Sequence, residues 1–564
     1  MRRPVAILTA LIALSASPSF AQTPAAPAPS PDDAARRAQL AEGGNSPGYD
    51  MAPITRPEVV AAAMKMIQAK IPPGPFQPTW QSLKQHYTVP QWFVDAKFGI
   101  FMHWGLYSVP AYGGGGAAEW YETHLYAGGA TLAFHTKTFG PLDQFGYKDF
   151  IPKFTAAKWN PDAWAELFKK SGARYVIPTA QHHDNFSNWN SKANPINAVN
   201  MGPHRDLIGD LAAAVRKQGL KFGVSNHGIE AFQFVKPSAQ VQALLKPKQA
   251  DLYDPKWELF YHTDRSDEAC EKFLANWVAR NVELIDQYQP DMLWFDNGVD
   301  QRYLDPLKFW IAAYYYNRAI EWGKQVSIST KKAAYAPGGD NIHTIGSILD
   351  FEKIGTRSPA GIRTGAWQVD QPIGSQWGYA TNMRISSPAQ IIDALADTVS
   401  KNGNLLLNIS PTADGEIPQN QQQTLLAVGQ WLAINGEAIY GSHNWYHYGE
   451  GIPARGQPRT AANIRFTVKA DALCAIVLGD PPASDDITIT SLATTADMGK
   501  ITAVTMLGNN SPLPFQQTND GLHVTLPKNP PSIYACVLKI SGATITPNTA
   551  TPDGNPIPHW DEHK

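Results

Sequence analysis

From residue 97 to residue 436 the chain alternates apolar runs of strand length with amphipathic helical segments, and few folds tolerate that alternation. The stretches "KFGIFMHW" (97–104), "RYVIPTAQHH" (174–183), "KFGVSNH" (221–227), "DMLWFDNG" (291–298), "QVSIST" (325–330), "SILDFE" (347–352) and "NLLLNIS" (404–410) read as strands. Helices are predicted over 162–173, 205–220, 267–288, 305–322, 387–403 and 419–436, several with Pro before them or Gly behind. Repeated strand–helix units need parallel strands with crossover helices, in an open sheet or a closed barrel. An open sheet marks its phosphate site with a glycine-rich first turn. The "GGGG" at 113–116 lacks that spacing and reads as a flexible loop. Seven or eight units in about 350 residues therefore point to a (β/α)8 barrel of the TIM type.

Beyond residue 445 the helical pattern stops. "IRFTVKA", "LCAIVLG", "DITITSL", "LHVTLP" and "IYACVLKI" are short runs separated by Gly, Pro and Asn, the signature of an antiparallel β-sandwich. At the other end, Arg2 and Arg3 precede an apolar run and the small residues Ser19 and Ala21, which fits an export signal cleaved after Ala21. The expected organisation is a signal peptide (1–21), a Pro/Ala-rich linker and extension (22–74), an α/β barrel (75–444), a C-terminal antiparallel β-sandwich (445–545) and a disordered tail (546–564). Export to the periplasm or the extracellular space follows, with no membrane attachment after cleavage. A net charge of −2 with no long basic run argues against nucleic acid as partner. Cys474 and Cys536 lie in strand-like runs of the same region, so both a disulfide and two buried thiols are open to them.

Barrel enzymes carry their chemistry at the C-terminal ends of the strands. Those ends hold His103, His182, His183, Asn226, His227, Asp296, Asp350 and Glu352, with Glu119, Trp120 and Tyr121 in the connection after the first strand. Each alone has an ordinary structural explanation; Asp296 can cap the following helix, and Glu352 can pair on the surface. Their convergence on one rim carries the inference. Two chemistries suit the set. One is metal-dependent hydrolysis through His103, His182, His183, His227 and Asp296, although the first strand reads "MHWG" and offers no His-x-His. The other is glycoside hydrolysis, which needs two carboxyl groups flanking the scissile bond and polar and aromatic groups for the sugar. The 17 tryptophans and the two rim carboxylates favour the second.

The motifs "KFGIFMHWGLYSVPA" (97–111), "EWY" (119–121), "ARYVIPTAQHHDNF" (173–186), "LKFGVSNH" (220–227), "DMLWFDNG" (291–298), "WQVDQPIGSQWGY" (367–379) and "SKNGNLLLNISPTADGEIP" (400–418) together resemble the α-L-fucosidases, retaining glycosidases of family 29. The resemblance runs in order from about residue 75 to 445 and extends to that family's β-rich C-terminal domain. It implies a retaining exo-glycosidase that removes terminal α-L-fucose from an oligosaccharide or glycoconjugate and needs no cofactor or metal. It makes Asp296 the nucleophile. His103, Glu119, Trp120, His182 and His183 match positions that hold the sugar, Asn226 and His227 line the same pocket, and Trp294 and Trp367 are assigned to substrate binding. Lys331 or Lys332 is expected as a cation near the nucleophile. The "DFEK" stretch followed by "AWQVD" nominates Glu352 as acid/base, with Asp370 as the fallback. Loops 111–118 and 228–250 are expected to set linkage preference.

Overall fold

The computed structural model describes residues 51–545, apart from 332–333, 336–345, 355–358, 364, 452–459, 480–485 and 497. The leader, most of the linker, the tail and Lys332 therefore lie outside the described residues. Eight parallel strands close a barrel in sequence order: β1 (Phe98–Met102), β2 (Tyr175–Gln181), β3 (Lys221–Asn226), β4 (Met292–Phe295), β5 (Ser327–Lys331), β6 (Ile348–Glu352), β7 (Trp367–Pro372) and β8 (Gly403–Ile409). The sequence predicts seven of these. The eighth, β7, reads "WQVDQP", and its inward positions Gln368 and Asp370 are polar, which hides the strand from a reading based on apolar runs.

Local chemistry places each strand. The helix Asp267–Tyr288 starts at Ser266, whose side chain accepts from Ala269 N–H, and stops at Gln289 in the left-handed region, one residue before Pro290. Asp291 then accepts Phe222 N–H at 3.0 Å and meets Lys221 at 3.2 Å, which pins the start of β4 beside β3. The helix Pro388–Ser400 opens with a capping box made by Ser387 and Gln390. Inside the barrel, Phe101, Tyr175, Ile177, Met292, Trp294, Ile348 and Leu406 pack as one cluster, closed at the N-terminal mouth by Phe93 and Ala96 of the helix Gln91–Ala96. The barrel is thus a filled core with one usable end, the C-terminal rim.

Beyond the barrel, an antiparallel sheet runs Asn509–Pro512, Ala503–Met506, Cys536–Ser541, Ala472–Val477, Ile464–Lys469, His443–Glu450 in spatial order. A three-stranded sheet of Asp486–Ile489, Leu522–Thr525 and Phe515–Gln517 shares a core with it. This is the expected sandwich. It is tied to the barrel by Arg465 and Asp397 at 2.8 Å and by Trp431 Nε1–H donating to Ala535 O at 2.9 Å. All three cysteines are free and buried. Cys474 faces the barrel-side core and Cys536 the sandwich core, so the shared sheet separates the two thiols. Among the described residues no helix is long and apolar enough to cross a membrane.

Candidate active site

Side chains alternate along a strand, so β3 sends Ser225 inward and Asn226 outward, and β4 sends Trp294 inward with Asp296 just past its end. Asp296 is 9% exposed. Its Oδ1 lies 3.0 Å from Lys331 Nζ, and its Oδ2 accepts from His227 Nδ1 at 3.1 Å and lies 3.5 Å from His183 Nε2. Burial alone would raise its pKa. The Lys331 charge and the two histidine contacts outweigh burial and hold the carboxyl well below the usual range. Asp296 is therefore an ionised, almost dry carboxylate.

The histidines have distinct states. Burial lowers His227 to about 4, so it is neutral, donating Nδ1–H to Asp296 while Nε2 meets Ser225 Oγ at 3.1 Å. Burial opposes charge on His183 as well, but its contacts with Asp296 and Glu230 raise its pKa overall. Burial also drives His103 and His182 well down. His103 Nδ1 lies 2.7 Å from Asn408 Oδ1, which assigns the proton to Nδ1 and leaves Nε2 as an acceptor. His182 Nδ1 and Tyr107 Oη are buried with no hydrogen-bond partner among the described residues, two polar atoms that a bound polyol can satisfy. Glu119 Oε2 accepts Gly378 N–H at 3.0 Å, and burial raises its pKa. Half-buried Trp120 stands edge-on to His183, with ring centroids 6.3 Å apart.

Lys331 joins the carboxylates. Its Nζ is 3.0 Å from Asp296 Oδ1, 3.4 Å from Asp370 Oδ2 and 3.6 Å from Glu352 Oε2. Burial would lower its pKa, but these acids raise it well above the ordinary value, so the ammonium is permanent. Of the two acid/base candidates, the Glu352 side chain is 19% exposed and the Asp370 side chain 1%.

The family model "Alpha-L-fucosidase" matches residues 63–437, and the model "Alpha-L-fucosidase C-terminal domain" matches residues 457–541. The chain belongs to the α-L-fucosidase family. Human tissue α-L-fucosidase is 32% identical over 496 residues, covering 85% of this chain and 95% of the relative. An α-L-fucosidase of Branchiostoma floridae is also 32% identical, over 83% of this chain and 96% of its own length. Among solved structures, Thermotoga maritima α-fucosidase superposes with a TM-score of 0.66 at 34% identity, covering 82% of this chain and 100% of that one. The same enzyme in complex with fucose gives 0.66 at 35% identity.

Within this fucosidase fold, His103, Glu119, Trp120, His182, His183, His227, Asp296, Lys331 and Glu352 converge at the rim. Three expectations need correction. Asn226 does not line the pocket: it lies on the outward side of β3, donating to Asn281 Oδ1 at 3.1 Å on the helix behind and accepting Gly228 N–H at 2.8 Å. Trp367 begins β7 at the opposite end of the barrel, faces outward against Phe351, and donates Nε1–H to Lys401 O at 3.2 Å. Trp294 is fully buried; it floors the site by donating Nε1–H to Asp350 at 2.8 Å, with its ring 5.0 Å from that of His227.

Two triads, His103/His182/His227 and His183/His227/Asp296, bring ligand-type atoms within 4.8 Å of one another. His227 belongs to both, and both of its ring nitrogens already have protein partners. The arrangement and the family therefore favour glycoside chemistry over a metal centre. Sequence reasoning missed Trp377, whose ring lies 5.3 Å from His103 and 5.8 Å from Lys331 Nζ, and Asn408, the anchor of His103. Asn408 stands at the end of β8, so the same strand-end rule that selected His103 also reaches it.

Proposed function

We propose that the chain is a retaining exo-α-L-fucosidase in which Asp296 is the nucleophile and Glu352 the acid/base. The observation that carries the assignment is the shared ammonium: Lys331 contacts both Asp296, at 3.0 Å, and Glu352, at 3.6 Å. This keeps the two carboxyl groups close, as a double-displacement mechanism requires, where they lie about 5–5.5 Å apart. Asp370 is as near to Lys331 but sealed beneath it, so Glu352 is the acid that a leaving group can reach.

In the first step an Asp296 oxygen attacks C1 of fucose, the bond from C1 to the leaving oxygen breaks, and Glu352 gives that oxygen its proton. The product is a fucosyl ester on Asp296. In the second step Glu352 takes a proton from water, the water oxygen attacks C1, and the ester bond breaks to release fucose with its α configuration and ionised Asp296. Neutral His103 and His182 and the Glu119 carboxyl supply directional hydrogen bonds for the hydroxyls. The Trp120 and Trp377 rings offer apolar faces to the sugar.

The substrates are fucosylated glycans, and the leader-like first 21 residues support action outside the cytoplasm. Asp296→Gly, assayed on an aryl α-L-fucoside with and without azide, tests the core of the reading. Turnover should fall by at least about a thousandfold, and azide should restore release of the aryl group with formation of β-fucosyl azide. Near-normal turnover without azide would reject the nucleophile.

A further inference from the structure

We propose that Asp350 and Asp370 form a carboxylic acid–carboxylate pair that holds one proton between them beneath Lys331. The pair thereby carries a single negative charge that balances the ammonium and leaves the charge of Asp296 available for attack. What the pair does rests on the catalytic reading above; its existence does not.

Two buried carboxyl oxygens beneath Lys331 lack hydrogen-bond partners among the described residues. Asp350 and Asp370 lie on adjacent strands, Asp350 paired with Gln368 and Glu352 with Asp370, so both carboxyl groups point into the barrel and touch. Asp350 Oδ2 is satisfied by Trp294 Nε1–H at 2.8 Å and Gln368 Nε2–H at 2.6 Å. Asp370 Oδ2 faces Lys331 at 3.4 Å. Asp350 Oδ1 and Asp370 Oδ1 are both buried, and neither meets a donor among the described residues. Two ionised carboxylates are acceptors only, so they cannot satisfy each other. One proton turns their contact into a strong O–H···O⁻ bond and removes one of two like charges from a dry site.

The surroundings agree. The charged or titratable groups facing the pair are Lys331 from β5, Asp296 after β4, Glu352 from β6 and Tyr175 from β2. Lys331 is the ammonium that contacts Asp370, and it is shared with Asp296 and Glu352, the latter also meeting Lys353 at 3.8 Å, so ionising both Asp350 and Asp370 would put two like charges against one shared cation. Burial raises Asp350 to about 6 and Asp370 well above the carboxylate range, despite Lys331. The pair titrates as a unit, not as two separate acids.

Infrared difference spectroscopy of the full chain at neutral pH reads the proton without using activity. Wild type minus Asp370→Asn, and wild type minus Asp350→Asn, should each show a protonated-carboxyl C=O band that shifts in D2O. An amide N–H replaces the O–H in either variant, so each keeps the contact, and either one suffices should the other fail to fold. Loss of a carboxylate band alone would mean that both acids are ionised and would overturn the proposal. Kinetics test the charge. Each single Asn variant still carries one negative charge, so the limbs of its kcat/KM–pH profile should stay in place. The double variant carries none, so both limbs should move to lower pH by about one unit. A single variant that shifts the limbs as far as the double would overturn the balance argument. A wild-type protein inert on α-L-fucosides would sink the catalytic reading while leaving the infrared result standing. Abolished turnover in Asp370→Asn, rescued by azide, would instead make Asp370 the acid/base.

Discussion

Lys331→Met removes the cation on which the proposed mechanism depends, and the structure sets the size of the response. Asp296 must be ionised to attack, so kcat/KM falls as pH drops through its pKa. Lys331 helps to hold that pKa well below the usual range. Removing it therefore moves the acidic limb to higher pH. For unit charges 3.0 Å apart at an effective dielectric constant of about 20, the interaction is about 5 kcal/mol. At about 1.4 kcal/mol per pKa unit, that sets a ceiling near four units. The ceiling is not reached, because Lys331 is shared with Asp370 and Glu352, and a proton taken up by a neighbouring acid offsets part of the lost charge. The expected shift is about 2–3 units upward, with lower kcat across the range. Lys331→Arg, which keeps the charge, should keep the limb near its wild-type position. Profiles of kcat/KM on an aryl α-L-fucoside, with thermal melts to confirm folding, make the comparison. A shift of less than about half a unit in a folded Lys331→Met enzyme would refute the electrostatic role.

Other consequences are simpler to test. Asn226→Ala leaves Asn281 Oδ1 and Gly228 N–H without that partner, so it should destabilise the fold by about 1–3 kcal/mol in denaturant titration while leaving KM for fucosides almost unchanged. Glu119→Gln should lower kcat/KM by about 10- to 100-fold, since hydrogen bonds made by a charged group contribute about 1.5–3 kcal/mol, and thermal stability should change little. Thiol titration of the unfolded chain without reductant should find Cys270, Cys474 and Cys536 all reactive. Prolonged dialysis against chelator should leave fucosidase activity intact; loss restored by a divalent ion would favour the metal-dependent chemistry.

The order of the barrel strands and most of the rim were legible because they rest on local pattern. Apolar runs mark the walls, and polar residues where the runs stop mark the rim, as at His103, His182, His183, His227, Asp296 and Glu352. What failed was parity. The sequence places Asn226 at a strand end and the family resemblance assigns Trp367 to the substrate, but neither says on which side of the wall the side chain falls. A strand has period two, so a residue adjacent to an inward one points outward. With His227 taken as inward, Asn226 is one step away and belongs outside. With Asp370 inward, Trp367 is three steps away and belongs outside too. That parity becomes legible only with an inward anchor on each strand, and the pattern of apolar runs does not mark β7 as a strand.

The polar inward face that hides β7 from the apolar-run pattern is also what the site rests on. Interiors of parallel barrels are filled by branched apolar side chains, and the lower part of this one conforms, with Ile177, Met292, Ile348 and Leu406 around Trp294. Above Trp294 the filling changes to Asp350, Gln368, Asp370 and Lys331. Such residues cannot be buried separately: the charged ones need partners and the neutral ones need donors and acceptors. Trp294 and Gln368 donate to Asp350, Gln368 also donates to Ser329 at 3.0 Å, and Tyr175 donates to Gln368 at 3.0 Å, so the polar layer rests on the apolar one through hydrogen bonds from its own floor. Lys331 stands on that layer, and Asp296 and Glu352 stand on Lys331. The position of Asp296, the proposed nucleophile, is therefore set from below by residues buried beneath it. Substitutions that change the net charge of this polar layer, Lys331→Met or the Asp350→Asn/Asp370→Asn double variant, should change the pH profile before they change KM, whereas substitutions at His103, Glu119 or His182 should act on KM and kcat/KM with the profile in place. That split, measured on one substrate, separates the groups proposed to hold fucose from those that hold the charge on Asp296.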